Sequence, residues 1–167
     1  MKSAGLSTRA RAWFLRTFRG RSREDAAWDR EAEAVSSPPE SFALGDLRID
    51  ALPRGIKAAG ANPASAVYEV VIALEGDPRK WSSRYGLPPA DNSARAAVEI
   101  ALDELDQAWR DPGGWREQAL AGMSEDEREA MEDSPMFRLD LRAAEWVGPH
   151  LDRVRESREA TGAWLPA

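Results

Sequence analysis

The sequence predicts an α+β fold: a helix-rich single domain with a small β-sheet, preceded by a basic amphipathic N-terminal helix. Three observations carry this. Residues between 41 and 74 contain period-two apolar runs rich in β-branched side chains, the pattern of strands buried on one face. From residue 92 onward the apolar spacing changes to that of helices, with polar caps ahead of each run. The chain has 167 residues, 43% of them hydrophobic, enough for one real core and short of what two domains need.

In chain order, Leu6, Ala10, Trp13, Phe14, Thr17 and Phe18 recur at helical spacing, with Gly20 placed to stop the helix. A second charged helical segment runs from Arg23 to Val35, and Ser36-Ser37-Pro38-Pro39 breaks it. The organisation read from this is an arm and linker over residues 1–39 and an acidic α+β domain over residues 40–167. Between Ser41 and Ile56, partial alternation interrupted by Gly45 predicts two short strands or one bulged strand. Ala66 to Leu74 is the clearest strand, bounded by Glu75-Gly76-Asp77-Pro78. Trp81 and Tyr85 are assigned to the loop that follows.

Asp91, Asn92 and Ser93 cap a helix to Arg110 whose stripe is Val98, Ala101, Leu102, Leu105 and Trp109. Asp111-Pro112-Gly113-Gly114 reads as its termination. A short helix is expected from Trp115 to Ala121, and Ser124 with Glu127 forms a capping-box signature for another through Asp133. Residues 137–147 fit a strand through Phe137, Leu139 and Leu141, and equally a helix through Phe137, Leu141, Ala144 and Trp146. Gly148 and Pro149 then separate them from a final helical segment, Leu151 to Glu159.

Composition excludes much chemistry. Without cysteine there is no thiol nucleophile, disulfide or iron–sulfur cluster, and a single histidine, His150, forms no His-rich metal site. No apolar run approaches the roughly 20 residues of a membrane-spanning helix, and arginines interrupt the N-terminal apolar residues where a secretory signal would be continuous. A cytoplasmic location is the expectation. The net charge of −6 hides a division: residues 1–23 hold seven basic residues and no acid, which leaves 16 basic against 29 acidic residues, or −13, for the remainder.

Glu99, Asp103 and Asp106 share a helical face at spacings that suit a hard cation. Arg95 and Arg110 stand four residues outside them, so an ion-pair ladder on a solvated face is the preferred reading and no metal or other cofactor is expected. His150 has the titration range of a general base, but no nucleophile elbow, phosphate loop or dinucleotide fingerprint accompanies it, and no catalytic residue is assigned.

Seven tryptophans are many for this length, and the type is enriched at binding hot spots. Trp109 and Trp146 fit core stripes. Trp81 in its loop and Trp164 near the end of the chain are the candidates for exposure to a partner, together with Trp13, Phe14, Phe18, Arg9 and Arg16 of the arm.

The function expected is therefore that of a non-enzymatic interaction protein, an adaptor, assembly subunit or immunity-type inhibitor, that binds a protein partner. Peripheral membrane contact through the N-terminal helix and homo-oligomerisation stay open. A carboxylate- or metal-dependent enzyme is the rival from another class. Nucleic-acid association through the basic arm is less favoured, because phosphate contacts leave the aromatic stripe without a role. The strand-then-helix order from Ala66 to Trp109 resembles that of a double-stranded-RNA-binding domain. The final helix here starts Asn92-Ser93-Ala94-Arg95 where that family has lysines, and no family is assigned.

Overall fold

Alternation begins at Glu40 and produces an antiparallel meander in the sheet order β1-β2-β3-β4. The computed structural model describes residues 38–57, 65–87, 91 and 93–167. The N-terminal helix and almost all of the arm expected at residues 1–39 therefore lie outside the described residues. β1 (Glu40–Leu44) and β2 (Leu47–Lys57) are joined by Gly45-Asp46, with Leu44 opposite Leu47. Gly45 has φ 58°, and a glycine first in a two-residue loop matches strand twist to turn twist. Both strand readings of this region hold in part, since there are two strands and the second is irregular between Pro53 and Gly55, where proline supplies no N–H to the ladder.

β3 (Ser65–Leu74) follows the predicted strand closely. The segment Lys80–Leu87 is β4, not the loop expected there. Its alternation is complete, with Trp81, Ser83, Tyr85 and Leu87 buried, but Ser83 and Gly86 dilute the apolar signal in the sequence.

Ser93 caps α1 (Ala94–Arg110) by accepting from the Ala96 N–H at 3.1 Å. Asp111 then ends α1 and starts α2 (Pro112–Leu120), its carboxylate accepting from the Gly114 N–H at 2.9 Å. Pro112-Gly113-Gly114 is thus the first turn of a helix and not merely a terminator, as proline at the first helical positions costs no hydrogen bond. The capping box predicted for α3 (Glu125–Glu132) is present in both directions: Glu127 accepts from the Ser124 N–H at 2.8 Å and donates its own N–H to Ser124 Oγ at 3.3 Å.

Residues 137–147 belong to one long helix, α4 (Pro135–Thr161). Gly148 and Pro149 do not separate two elements. A Cβ at Gly148 would lie 2.2 Å from Trp109 Cγ, so glycine is there to let α4 meet α1, while Pro149 points to solvent.

Helices α1 and α4 pack together over one face of the sheet, α4 toward β4. Leu47, Ile49, Val70, Ile72, Tyr85 and Leu87 face Val98, Ala101, Leu102 and Leu105 of α1, while Phe137, Ala144, Val147 and Leu151 complete the core from α4. Each large side chain so buried contributes about 1.5–3 kcal/mol relative to exposure. Trp109 of the predicted stripe is half-buried and roofs Gly148. Among the described residues no helix is long and apolar enough to cross a membrane.

Candidate functional site

Of the predicted contact residues, Arg9, Trp13, Phe14, Arg16 and Phe18 lie outside the described residues. Trp81 and Trp164 are described, and the exposure expected of both is corrected: each is 5% exposed. Trp81 faces the helices from β4 and its Nε1 donates to the buried carboxylate of Asp140 on α4 at 2.8 Å. The helices cover this inner face of the sheet and leave little of the ring to solvent.

Trp164 is drawn onto α1 after Gly162 (φ 79°) ends α4. Its backbone N–H and that of Leu165 donate to the two oxygens of Glu99, each at 2.8 Å, and its Nε1 donates to Asp103 at 2.9 Å. Arg95 donates to the carbonyls of Leu165 and Pro166 at 2.6 and 2.8 Å, and Arg158 lies 5.6 Å over the Trp164 ring. The ladder of Glu99, Asp103 and Asp106 is therefore no solvated face. It is a half-buried clamp that, with Arg95, holds residues 164–166 and also pairs with Arg155 and Arg158 of α4, Asp106 standing 2.7 Å from Arg155 and 3.8 Å from Arg110 of its own helix. Of the ion pairs expected along α1, Asp106–Arg110 forms, while Arg95 turns to the backbone of Leu165 and Pro166. Among the described residues no three His, Asp or Glu side chains are grouped to hold a metal.

His150 stands 3.9 Å from Asp46 in the β1–β2 turn. The groups that would have served a carboxylate enzyme thus serve separate contacts: Glu99 and Asp103 hold the Trp164 segment, and His150 faces a hairpin turn.

A different region has the form of a binding site. An open groove of about 610 Å³ runs between the first residues of β4 and the N-terminal half of α4, within the range of about 300–1,000 Å³ usual for ligand sites. Arg79 to Ser82 form one wall. Leu139, Arg142, Ala143 and Trp146, which recur at helical spacing along one stripe of α4, form the other together with Asp140 and Glu145. Leu139 is 55% exposed, the one exposed large hydrophobic residue among those described.

The groove is mixed in charge, with Arg79, Lys80 and Arg142 beside Asp140 and Glu145. Asp77 grips Arg79 through both carboxylate oxygens, and this hydrogen bonding lowers the Asp77 pKa to about 2. So held, the Arg79 guanidinium lies 5.6 Å over the Trp146 ring. Among the described residues Lys80 and Arg142 stand in no ion pair, whereas Asp140 is committed to Trp81. The arrangement offers an apolar ledge between charges of both signs.

Sequence reasoning left residues 137–147 open between strand and helix and so missed this groove, since the strand alternative puts Leu139 on one buried face with Phe137 and Leu141. Helical spacing is the signal that separates them: Phe137, Ala144, Val147 and Leu151 form the buried stripe, and Leu139, Arg142 and Trp146 lie off it. Comparison with known protein families, with curated proteins and with solved structures finds no match to this chain.

Proposed function

We propose that this chain is a non-enzymatic interaction protein, of the adaptor, assembly-subunit or immunity-type class, and that the groove between β4 and α4 receives its protein partner. The observation that carries the reading is Leu139, exposed on α4 beside half-buried Trp146 and flanked by Lys80 and Arg142. Monomeric surfaces tolerate single exposed leucines, but this one shares a concave groove with Trp146, Arg79 and Arg142, and Trp and Arg are types enriched at binding hot spots. The partner suited to it presents an apolar anchor with charges that complement Lys80, Arg142 and Glu145, because opposite charge speeds encounter and fixes register. The basic arm, with Trp13, Phe14 and Phe18, belongs to the proposal as a second contact, and the cytoplasm as its setting.

The test is site-specific photo-crosslinking in the native cell, with a photoreactive residue at position 139 and, as control, at exposed Glu129. The expected result is a discrete adduct from position 139 that disappears when Lys80→Glu and Arg142→Glu are combined. An adduct from position 129 that survives those changes, with none from 139, refutes the groove as the contact. For the arm, Trp13→Ala with Phe14→Ala should weaken capture far more than Arg9→Gln with Arg16→Gln, since burying an aromatic contributes about 1.5–3 kcal/mol and an exposed ion pair about 0–1. The reverse order, with steep salt dependence, refutes aromatic docking.

A further inference from the structure

Among the described residues the helices pack on one face of the sheet and none covers the other. An antiparallel strand with one face in water alternates apolar with polar residues, whereas a strand covered on both faces reads as a continuous apolar run. β3 is a run of the second kind, since from Ala66 to Leu74 only Glu69 is charged. Val67, Val71 and Ala73 of β3 and Leu52 of β2 point away from the helices, and none of them joins the core cluster. Val67 is buried, and the other three are half-buried. The charges of this outer face differ from those of the body around it. Arg48, Lys80 and Arg84 point outward, and Arg54 joins them by pairing with Glu69 at 2.5 Å. Against these four cations stand Asp50, Glu69 and Glu75, the last 3.6 Å from Arg48, whereas residues 40–167 as a whole hold 15 basic and 24 acidic side chains.

We infer that the charged segment Arg23–Val35 of this same chain packs on the outer face as a third layer. Glu24, Trp28, Glu31, Ala32 and Val35 recur at spacings of three and four, an apolar stripe with carboxylates along it. The segment holds five acidic residues against two arginines and so complements a face with more cations than carboxylates, whereas Ser3–Arg19 holds four arginines and no acid. Position agrees with charge. The described chain enters β1 at Glu40, opposite Ala51 and beside Leu52, which ties residue 35 to the Leu52 end of the face. The four residues Ser36 to Pro39 reach about 13 Å when extended, enough for the step of about 10 Å between packed layers. A helix antiparallel to β1 then runs about 17 Å from Val35 to Glu24, and the face runs about 14 Å from Leu52 to Arg48. This register sets Val35 over Leu52, Trp28 near Val71 and Ala73, and Glu24 near Arg48 and Lys80. Because the linker is short, the local concentration is high, and a contact too weak to hold between molecules holds within one. The boundary between arm and body then falls near Gly20 and not at Pro39.

The chain has no cysteine, so an introduced pair reports alone. The full chain carrying Ala32→Cys with Val71→Cys is treated at low concentration with a short bismaleimide, and the rate of linkage is followed by gel and mass spectrometry. Ser82→Cys, exposed on β4 opposite Val71, replaces Val71→Cys should the latter unsettle the sheet. The expected result is a link within one chain, formed about tenfold or more faster than in two control pairs, Ala32→Cys with Leu139→Cys and Phe14→Cys with Val71→Cys. Adding Glu24→Lys and Glu31→Lys should slow it about tenfold, the scale of two ion pairs turned to repulsion. Equal rates in all three pairs overturn the docking of Arg23–Val35. A faster link to position 139 places the segment in the groove and overturns the outer face as its seat. A faster link from position 14 gives the face to the basic helix and overturns the choice by charge. Links between two chains in place of the internal one put a second copy on the face and overturn an occupant from the same chain. A fast internal link indifferent to the Glu24 and Glu31 changes overturns the charge complementarity on which the choice of segment rests.

Discussion

Gly148→Ala tests the closest approach between α1 and α4. An alanine Cβ would lie 2.2, 2.3 and 2.6 Å from three atoms of the Trp109 indole, where carbon pairs rest at about 3.5–4.0 Å. The ring must retreat by more than about 1 Å or the helices must part. Trp109 is also tied by its Nε1 to Asp152 at 3.0 Å, so retreat strains that hydrogen bond. Overpacking costs about 1–3 kcal/mol and a weakened hydrogen bond about 0.5–1.5, while replacing a mid-helix glycine by alanine returns about 1. The expected net loss is about 0.5–3.5 kcal/mol, read by urea denaturation followed by circular dichroism. In a Trp109→Ala background the clash is absent, and the same substitution should be neutral or stabilising by up to about 1 kcal/mol. A Gly148→Ala protein as stable as the parent, or an equal cost in both backgrounds, refutes the argument that glycine is there for contact.

Leu102, fully buried between the sheet and α4, should cost about 2–5 kcal/mol on change to Ala in the same assay; a cost below about 0.5 would mean that the α1 face is wrongly assigned. Glu99→Gln leaves one acceptor oxygen for two backbone donors, so the Trp164 and Leu165 amides should exchange with solvent about tenfold faster, and unchanged exchange would refute the clamp. Hydrogen bonds from Arg155 and then Trp109 hold the Asp152 carboxyl below its ordinary value of 3.8. A depressed carboxylate stabilises the fold above 3.8 and loses that contribution as pH falls through the lower folded value. Asp152→Asn should therefore lower stability at neutral pH and converge with the parent in acid, once the Asp152 carboxyl is protonated in the fold; a gap that persists there refutes the assignment.

Much of the scaffold was legible in the residues. Gly45 marked the first turn, the run to Leu74 marked β3, and the α1 stripe and the Ser124–Glu127 box were read where they stand. These are local signals, each complete within one turn or one strand. The misreadings share a different cause. Trp81 and Tyr85 were placed in a loop because serine and glycine interrupt the β4 pattern, yet pairing with β3 on one side and packing against the helices make the strand. Gly148 and Pro149 carry a stop signal that packing overrides, because the glycine gains contact with Trp109 and the proline faces water. Glu99 and Asp103 look solvated along α1 itself; their donors, on Trp164 and Leu165, are more than 60 residues away.

By itself the sequence determined the α+β class, the acidic body and the capped helices, since periodicity, charge and capping act within a few residues. Only the tertiary structure decided which tryptophans are buried, that one acidic ladder is a clamp, and that Lys80, Leu139, Arg142 and Trp146 share a groove. Those outcomes depend on which distant segment lies opposite, and helical or strand spacing within one element cannot express contacts across 59 residues, the separation that joins Trp81 to Asp140.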